Sequence, residues 1–452
     1  MKFRKFGKTV LTAALSSAIV FSLSSCVRSF TVGYLYVTGT VTATPSGNGI
    51  ISGFKIDNNT GALRALHGLP VSSGGANPVR AVLLSGGNFV YVLNRGANKE
   101  GNLDCTVDDP CLNSNITEFV VGGNGVLSPQ QTFFTQGLNP FRLLSDTSGG
   151  YLFALDHDAP SNAYCGTVVT GAASCGDITV FQVNATTGRL TLVPNQVLTT
   201  TAGTTVAYFP VPADPIDFTF SSSYVMTMSG LPGSAQTVYP YSYNSGSGQL
   251  AITQSTPQVI NNGLGTPMGQ GTAIVNASGK VYILDNEAFP AGSTPGQILP
   301  FTVGTAGALN SLVSGAKADD VTETNPIYLM VESKGKFLYV ANQAGFGSTN
   351  GAGITIYSID PSSGILTEDA GSPVPVDGTT QGSTAGSGAI PQCLLEDPSN
   401  QYVYTANAGD STVTGHVFSP KDGLLTQMKG AGNGTFSLNG PATWCIVSGR
   451  TN

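Results

Sequence analysis

The chain has 452 residues, 58 of them glycine, and only 10% are charged and 8% aromatic. This composition is too apolar for a disordered chain and too rich in glycine for a helical one, while the length suits a large all-β fold with a buried core. Lys2, Arg4, Lys5 and Lys8 open the chain; without them fifteen basic residues face 26 acidic ones, a net charge near −11 that excludes a nucleic-acid partner and would be repelled by anionic lipid.

Residues 1–25 predict a secretory signal: a basic start, then a mostly apolar run from Thr9 to Leu23 that is too short to span a bilayer. Leu23-Ser24-Ser25-Cys26 resembles the bacterial lipobox, which implies acylation of Cys26, cleavage before it, and a short tether over residues 26–32. An ordinary signal peptide with an incidental cysteine is the alternative. In Gram-negative systems the resemblance, with Val27 in place of Asp, favours the outer membrane, so the expected address is the cell envelope, with membrane contact through the lipid. Setting Cys26 aside leaves six cysteines, an even number suited to an oxidising compartment. Cys105 with Cys111 and Cys165 with Cys175 bracket single loops and read as staples, since their spacing is not that of zinc ligands.

From residue 33 to 449 the chain repeats itself. One half-unit reads proline, apolar run, turn, aromatic-rich run, and a closing Asn or Asp. Its copies start at Pro78, Pro140, Pro215, Pro267, Pro326 and Pro391; Pro326 to Asn342, PIYLMVESKGKFLYVAN, is the clearest. The other half-unit is a strand, a glycine turn and a strand, as in GITIYSIDPSSGILTE from Gly353. It recurs from Ser52, Asn115, Gly176, Ala235, Gly296 and Ser411. Short runs of β-branched and aromatic residues between turn formers predict strands, and the Thr-Gly and Ser-Gly positions supply the positive φ of tight hairpins. Four strands per unit, repeated seven times, predict an all-β, seven-bladed β-propeller of four-stranded blades.

Six first halves stand against seven second halves, and the missing one is divided between the termini. Pro441 to Gly449 supplies an innermost strand and Gly33 to Val37 the strand after it, so the two ends of the chain share one blade and close the ring. Cys445 lies four residues after Pro441 and Cys393 two after Pro391; the even offsets place both on the same strand face, where they either bridge the closing seam or remain two buried thiols. A bridge over so long a loop would contribute roughly 4 kcal/mol in the chain-entropy model. Residues 96–114, 157–175, 199–214 and 371–390 are long insertions, and they should decorate one rim.

The strand end Tyr339-Val340-Ala341-Asn342, followed by a Ser-x-Gly-x-Leu hairpin, resembles the seven-bladed lactonase family, the bacterial 6-phosphogluconolactonase-like and Tyr-Val-Thr-Asn repeat proteins. The resemblance covers residues 33–449 and implies a carboxylic-ester hydrolase acting on a small sugar or organic-acid lactone. Enzymes of the family place His and Arg just after the strand-opening proline. Two residues after each proline this chain has Arg80, Arg142, Asp217, Gly269, Tyr328, Cys393 and Thr443, with no histidine. Lactone hydrolysis needs a base to activate water and a cation to steady the oxyanion. Asp217 is the candidate base, and Arg80 and Arg142 the candidate cations; the bland alternative is a structural ion cluster. The Asn or Asp closing each second strand (Asn94, Asp156, Asp285, Asn342, Asn407) reads as a turn organiser.

Elsewhere, Asp156-His157-Asp158 offers a second base or a polar lip, and Glu287 is a similar case. Asp104, Asp108 and Asp109 lack a full calcium-ligand pattern. No phosphate-cradling loop, nucleophile elbow or zinc helix is present, so neither cofactor nor metal is expected. A monomer is expected. Besides the lactonase, a second reading is open: a non-catalytic scaffold whose rim binds a protein or glycan partner.

Overall fold

The structure, a computed structural model, describes residues 30–449 apart from 42–46, 104, 107, 222, 232–233, 255, 261–270, 287–296, 313–324, 344–352, 371, 373, 376–387 and 429–433. The proposed leader and Cys26 lie outside the described residues.

Seven antiparallel sheets form the blades of a propeller. Numbered in chain order, blades 1 to 7 have as innermost strands Ala442–Gly449, Pro78–Leu83, Leu138–Ser145, Pro215–Ser221, Gly271–Ala277, Pro326–Val331 and Pro391–Glu396. Blade 1 is completed by both termini: Thr31–Gly39 pairs with Ala442–Gly449 on one side and Asn48–Asp57 on the other. The predicted closure is the observed one.

Seven clusters of buried apolar side chains lie one at each seam between neighbouring blades. This explains strands that are apolar on both faces, such as Phe89–Asn94 and Phe337–Asn342, which are buried throughout. The aromatic of the repeat also has a polar task. Tyr36, Tyr282, Tyr339 and Tyr404 donate their hydroxyls to the carbonyls of Gly125, Gly364, Gly423 and Gly61 in the next blade, at 2.7, 2.9, 2.7 and 2.6 Å. Tyr91 does the same to Gly188. Each accepting glycine sits in the hairpin between third and outer strands. At Gly61, φ is +70° and a Cβ would fall 2.4 Å from the Tyr402 ring, so a side chain is excluded on two counts. The strand motif and the hairpin motif are thus two halves of one interblade lock.

The Asn and Asp residues that close the second strands do not organise turns. They lie in strands inside the sheet, four of them as the last strand residue and Asp156 two residues before the end, with Asn94, Asp156, Asp285, Asn342 and Asn407 all fully buried. Asn342 donates to Thr355 Oγ1 at 2.8 Å, and Asn407 to Thr412 and Thr414 at 3.0 and 3.1 Å. A buried amide needs such partners, and the third strand supplies them.

Antiparallel order puts the second-to-third and outer-to-innermost connections at one end of the ring, where the insertions 96–114, 157–175 and 199–214 fall; most of 371–390 lies outside the described residues. Three disulfides, Cys105–Cys111, Cys165–Cys175 and Cys393–Cys445, mark the protein as extracytoplasmic. The third bridges blades 7 and 1, but not from a shared face. Cys393 stands opposite Ala406 as Arg80 stands opposite Leu93, whereas Cys445, opposite Val37, corresponds to Ala81 one step on. Neighbouring blades pack face to back, so a bridge across a seam joins opposite strand faces.

Candidate functional site at the channel mouth

Five of the innermost strands open with the same local device, Ile390 before Pro391 at φ 54° among them. Asn77, Asn139, Asp214 and Asn325 precede their prolines at φ of 52°, 57°, 53° and 54°, the left-handed region that Asn and Asp tolerate. A bulge follows: Pro78 opposes Asn94, yet Arg80 opposes Leu93. The extra residue re-aims the next side chain, a common use of bulges beside functional sites. By this register the equivalent positions are Arg80, Arg142, Asp217, Ala273, Tyr328, Cys393 and Trp444. Two differ from the proline-counted set. In blade 1 the bulge falls on Thr443, so Trp444 takes the position. In blade 5 the strand opens at Gly271, so Ala273 does, and Gly269 lies outside the described residues.

Among these, Arg80, Arg142, Asp217, Tyr328 and Trp444 form one group. The Arg80 guanidinium carbon lies 3.8 Å from the centroid of the Trp444 ring, and Tyr328 meets Trp444 edge-on at 5.0 Å and 88°. Arg142 Nε donates to Asp217 Oδ1 at 3.0 Å, and the other Asp217 oxygen accepts the Ile274 N–H at 3.1 Å. Arg80 donates to the Val79 carbonyl at 2.8 Å and has no carboxylate partner among the described residues. Burial, reinforced by the Arg142 cation, pushes its pKa well below the usual guanidinium value, with Asp217 and Tyr328 opposing. Burial likewise raises the Tyr328 phenol to about 12. A half-buried cation on an indole face, with no carboxylate partner among the described residues, is a receptor for an anion or for developing negative charge. Sequence reasoning found both arginines and Asp217 but placed Thr443 where Trp444 stands; the chain's single tryptophan, within four residues of a strand-opening proline, was the available signal.

A second polar group lies in blade 3 at the same end. Asp156 and Asp177 face each other across the second and third strands, both fully buried. Thr179 lies between them, its hydroxyl 3.2 Å from Asp156 Oδ2 and 3.4 Å from Asp177 Oδ2. Burial pushes Asp156 up to about 8, against hydrogen bonds from Thr135, Thr179 and the Gly137 backbone. Burial and the Asp156 charge together raise Asp177 well above the carboxylate range. Two carboxyls so close keep a proton between them. The sequence singled out Asp156, His157 and Asp158 but not Asp177, whose Gly-Asp start to a third strand was the missed signal. His157 and Asp158 end a strand rather than form a turn. His157 Nδ1 lies 3.3 Å from Asp158 Oδ2, which also accepts from Asn139 at 2.8 Å. Burial raises Asp158, but the His157 and Asn139 hydrogen bonds and the Arg95 charge outweigh it and hold its pKa low.

Asp109 accepts from Asn98 at 2.7 Å and pairs with Lys99 at 3.6 Å, which makes it a loop brace. Glu287 and Asp104 lie outside the described residues. Among the described residues no three His, Cys, Asp or Glu side chains converge as metal ligands.

No protein-family model matches the chain, and no curated protein matches its sequence. Solved structures share the fold. A putative 6-phosphogluconolactonase from Bacteroides fragilis is 16% identical with a TM-score of 0.61, covering 92% of this chain and 98% of its own. A putative 6-phosphogluconolactonase from Bacteroides uniformis is 15% identical with a TM-score of 0.62, covering 92% and 99%. A periplasmic gluconolactonase from Pseudomonas aeruginosa is 17% identical with a TM-score of 0.60, also covering 92% and 99%. The chain is therefore a seven-bladed propeller resembling lactonase structures at low identity.

Proposed function

We propose that the protein is a lipid-anchored envelope propeller that binds a small sugar or organic-acid lactone at the channel mouth and opens its ring. The observation that carries this reading is Arg80, held against Trp444 with no carboxylate partner among the described residues. In the proposed step the lactone carbonyl oxygen faces Arg80. Water attacks the carbonyl carbon and gives its proton to Asp217, while Arg80 steadies the oxyanion. Collapse breaks the ring C–O bond, the proton on Asp217 passes to the departing oxygen, and the hydroxy-acid so formed loses water's second proton to solvent, leaving a hydroxy-carboxylate whose anion Arg80 can hold in a fork.

One observation favours the non-catalytic alternative: both Asp217 oxygens are engaged, by Arg142 and by the Ile274 N–H. Such a carboxylate is a poor base until a ligand displaces one partner. Proton release over a panel of sugar lactones, with emission of the sole tryptophan as a binding signal for aldonates, separates the readings. Turnover that falls about a hundredfold or more in Arg80→Ala supports the hydrolase. Aldonate binding without turnover supports the scaffold, and neither in a folded protein removes both.

The anchor is the other half of the proposal. A surface of net charge near −11 gains nothing from anionic lipid, whereas acyl chains on Cys26 contribute about 0.8 kcal/mol per buried methylene. Cys26→Ala should release the protein from membranes into the soluble envelope fraction.

A further inference from the structure

A second concavity opens at the same end of the ring, away from the channel. It has a volume of about 470 Å³ and lies between the two insertions of blade 3, with Gln136, Ser161, Tyr164, Thr200, Thr205 and Tyr208 in its wall. That volume is in the range of small-molecule sites. No residue lining it is charged. The channel offers an unpaired cation; this site offers aromatic rings, hydroxyls and an amide.

Its walls are held in place. The Cys165–Cys175 disulfide closes one insertion, and Ser161 caps the short turn Asn162–Tyr164. In the other insertion the Asn195 side chain donates to the Tyr208 carbonyl at 3.0 Å and accepts the Val197 N–H at 3.0 Å. The two aromatic rings meet edge to face at 6.5 Å and 68°. Their hydroxyls are anchored on backbone carbonyls: Tyr164 donates to Thr199 at 3.3 Å and Tyr208 to Ser161 at 3.4 Å. Tyr208 is buried as the floor, while Tyr164 is partly exposed. The Gln136 N–H donates to Thr179 Oγ1 at 2.9 Å, which ties the segment to the Asp156–Asp177 pair. The Gln136 side-chain amide has no partner among the described residues and keeps donors and an acceptor for a ligand.

This combination narrows the ligand class. A carboxylate or phosphate would find no cation here, and the carboxyl pair lies behind the wall. A purely apolar ligand would leave the amide and hydroxyls unpaired, which is costly. A pyranose satisfies both needs, with C–H faces for an aromatic ring and hydroxyls for an amide and threonines. We propose that the blade 3 pocket binds a neutral saccharide, with Tyr164 as the stacking platform and Gln136 as the hydroxyl-reading group. Because the walls are fixed beforehand, little ordering opposes binding. The site is independent of the lactone reading of the channel.

Calorimetric titration of the full-length protein with maltotetraose, cellotetraose, laminaritetraose, mannotetraose and chitotetraose tests the proposal. At least one should bind while leaving Trp444 emission unchanged, since that residue lies in the channel. Tyr164→Ala should weaken binding about tenfold or more and Gln136→Ala by a smaller factor, while Tyr164→Phe and Arg80→Ala leave it intact. The Gln136 variant keeps the test decisive if the Tyr164 loop rearranges. Binding by none of the five, or binding lost in Arg80→Ala but retained in both pocket variants, overturns the proposal.

Discussion

Blades 2 and 3 bring two side chains together at the same place, the second-strand residue opposite the strand-opening proline and its partner on the third strand, and fill it with opposite chemistry. In blade 2 these are Asn94 and Asn115; in blade 3 they are Asp156 and Asp177. A threonine two residues further on, Thr117 or Thr179, completes each group. Asn94 donates to the Ser73 carbonyl, Asn115 Oδ1 and Thr117 Oγ1 at 3.0, 2.9 and 3.2 Å, so the amides bring their own donors. Two carboxylates bring none, and one threonine hydroxyl cannot serve both. Blade 3 therefore keeps a proton in its sheet, beside its insertions and the pocket they enclose, where blade 2 keeps a neutral ladder.

The largest consequence is in the pH dependence of stability. The folded pKa of Asp156, about 8, lies above that of an unfolded aspartate, so the native state holds a proton that the unfolded chain has released. Stability from this group is complete below the unfolded value and is lost as pH rises through the folded one. The slope is about 1.4 kcal/mol per pH unit for each retained proton. Denaturant midpoints from pH 4 to pH 9 should fall more steeply for the native chain than for Asp156→Asn with Asp177→Asn. Equal slopes would show that the pair does not retain its proton.

The reverse exchange comes next in size. Asn94→Asp with Asn115→Asp should destabilise blade 2 by about 3 kcal/mol at pH 8, through buried like charges, and by clearly less at pH 5. An equal loss at both pH values would assign the cost to lost amide bonds instead. The smallest effect concerns the seam between these blades. Tyr91 locks blade 2 to the Gly188 carbonyl of blade 3, while Phe153 holds the corresponding position in blade 3 and has no hydroxyl. Tyr91→Phe should cost about 1 kcal/mol in equilibrium unfolding, and no change would mean that the seam is held by apolar packing alone.

Much of this molecule was legible as sequence because its signals are local. Strand runs, hairpin glycines and stapled loops are each written within a few residues, and seven copies make the count secure. Closure was legible too, since a half-unit missing from the interior had to be found at the ends. What the repeat could not show were partners across seams. The Tyr404 hydroxyl reaches Gly61, 343 residues away. The candidate site was half visible. Arg80, Arg142 and Asp217 follow their prolines in register, but Trp444 does not.

The sequence by itself determined the seven blades, the shared first blade and the pairing of the local cysteines. Only the tertiary structure decided which face each inner residue presents. A one-residue bulge reverses the alternation of a strand. In blade 1 it falls one residue later relative to the proline than in blades 2 and 7, which put Trp444 rather than Thr443 under Arg80 and set Cys445 on the face opposite to that of Cys393. It was also the packing of the sheet, which buries both carboxyls fully, that turned Asp156 from an expected turn former into half of a proton-sharing pair.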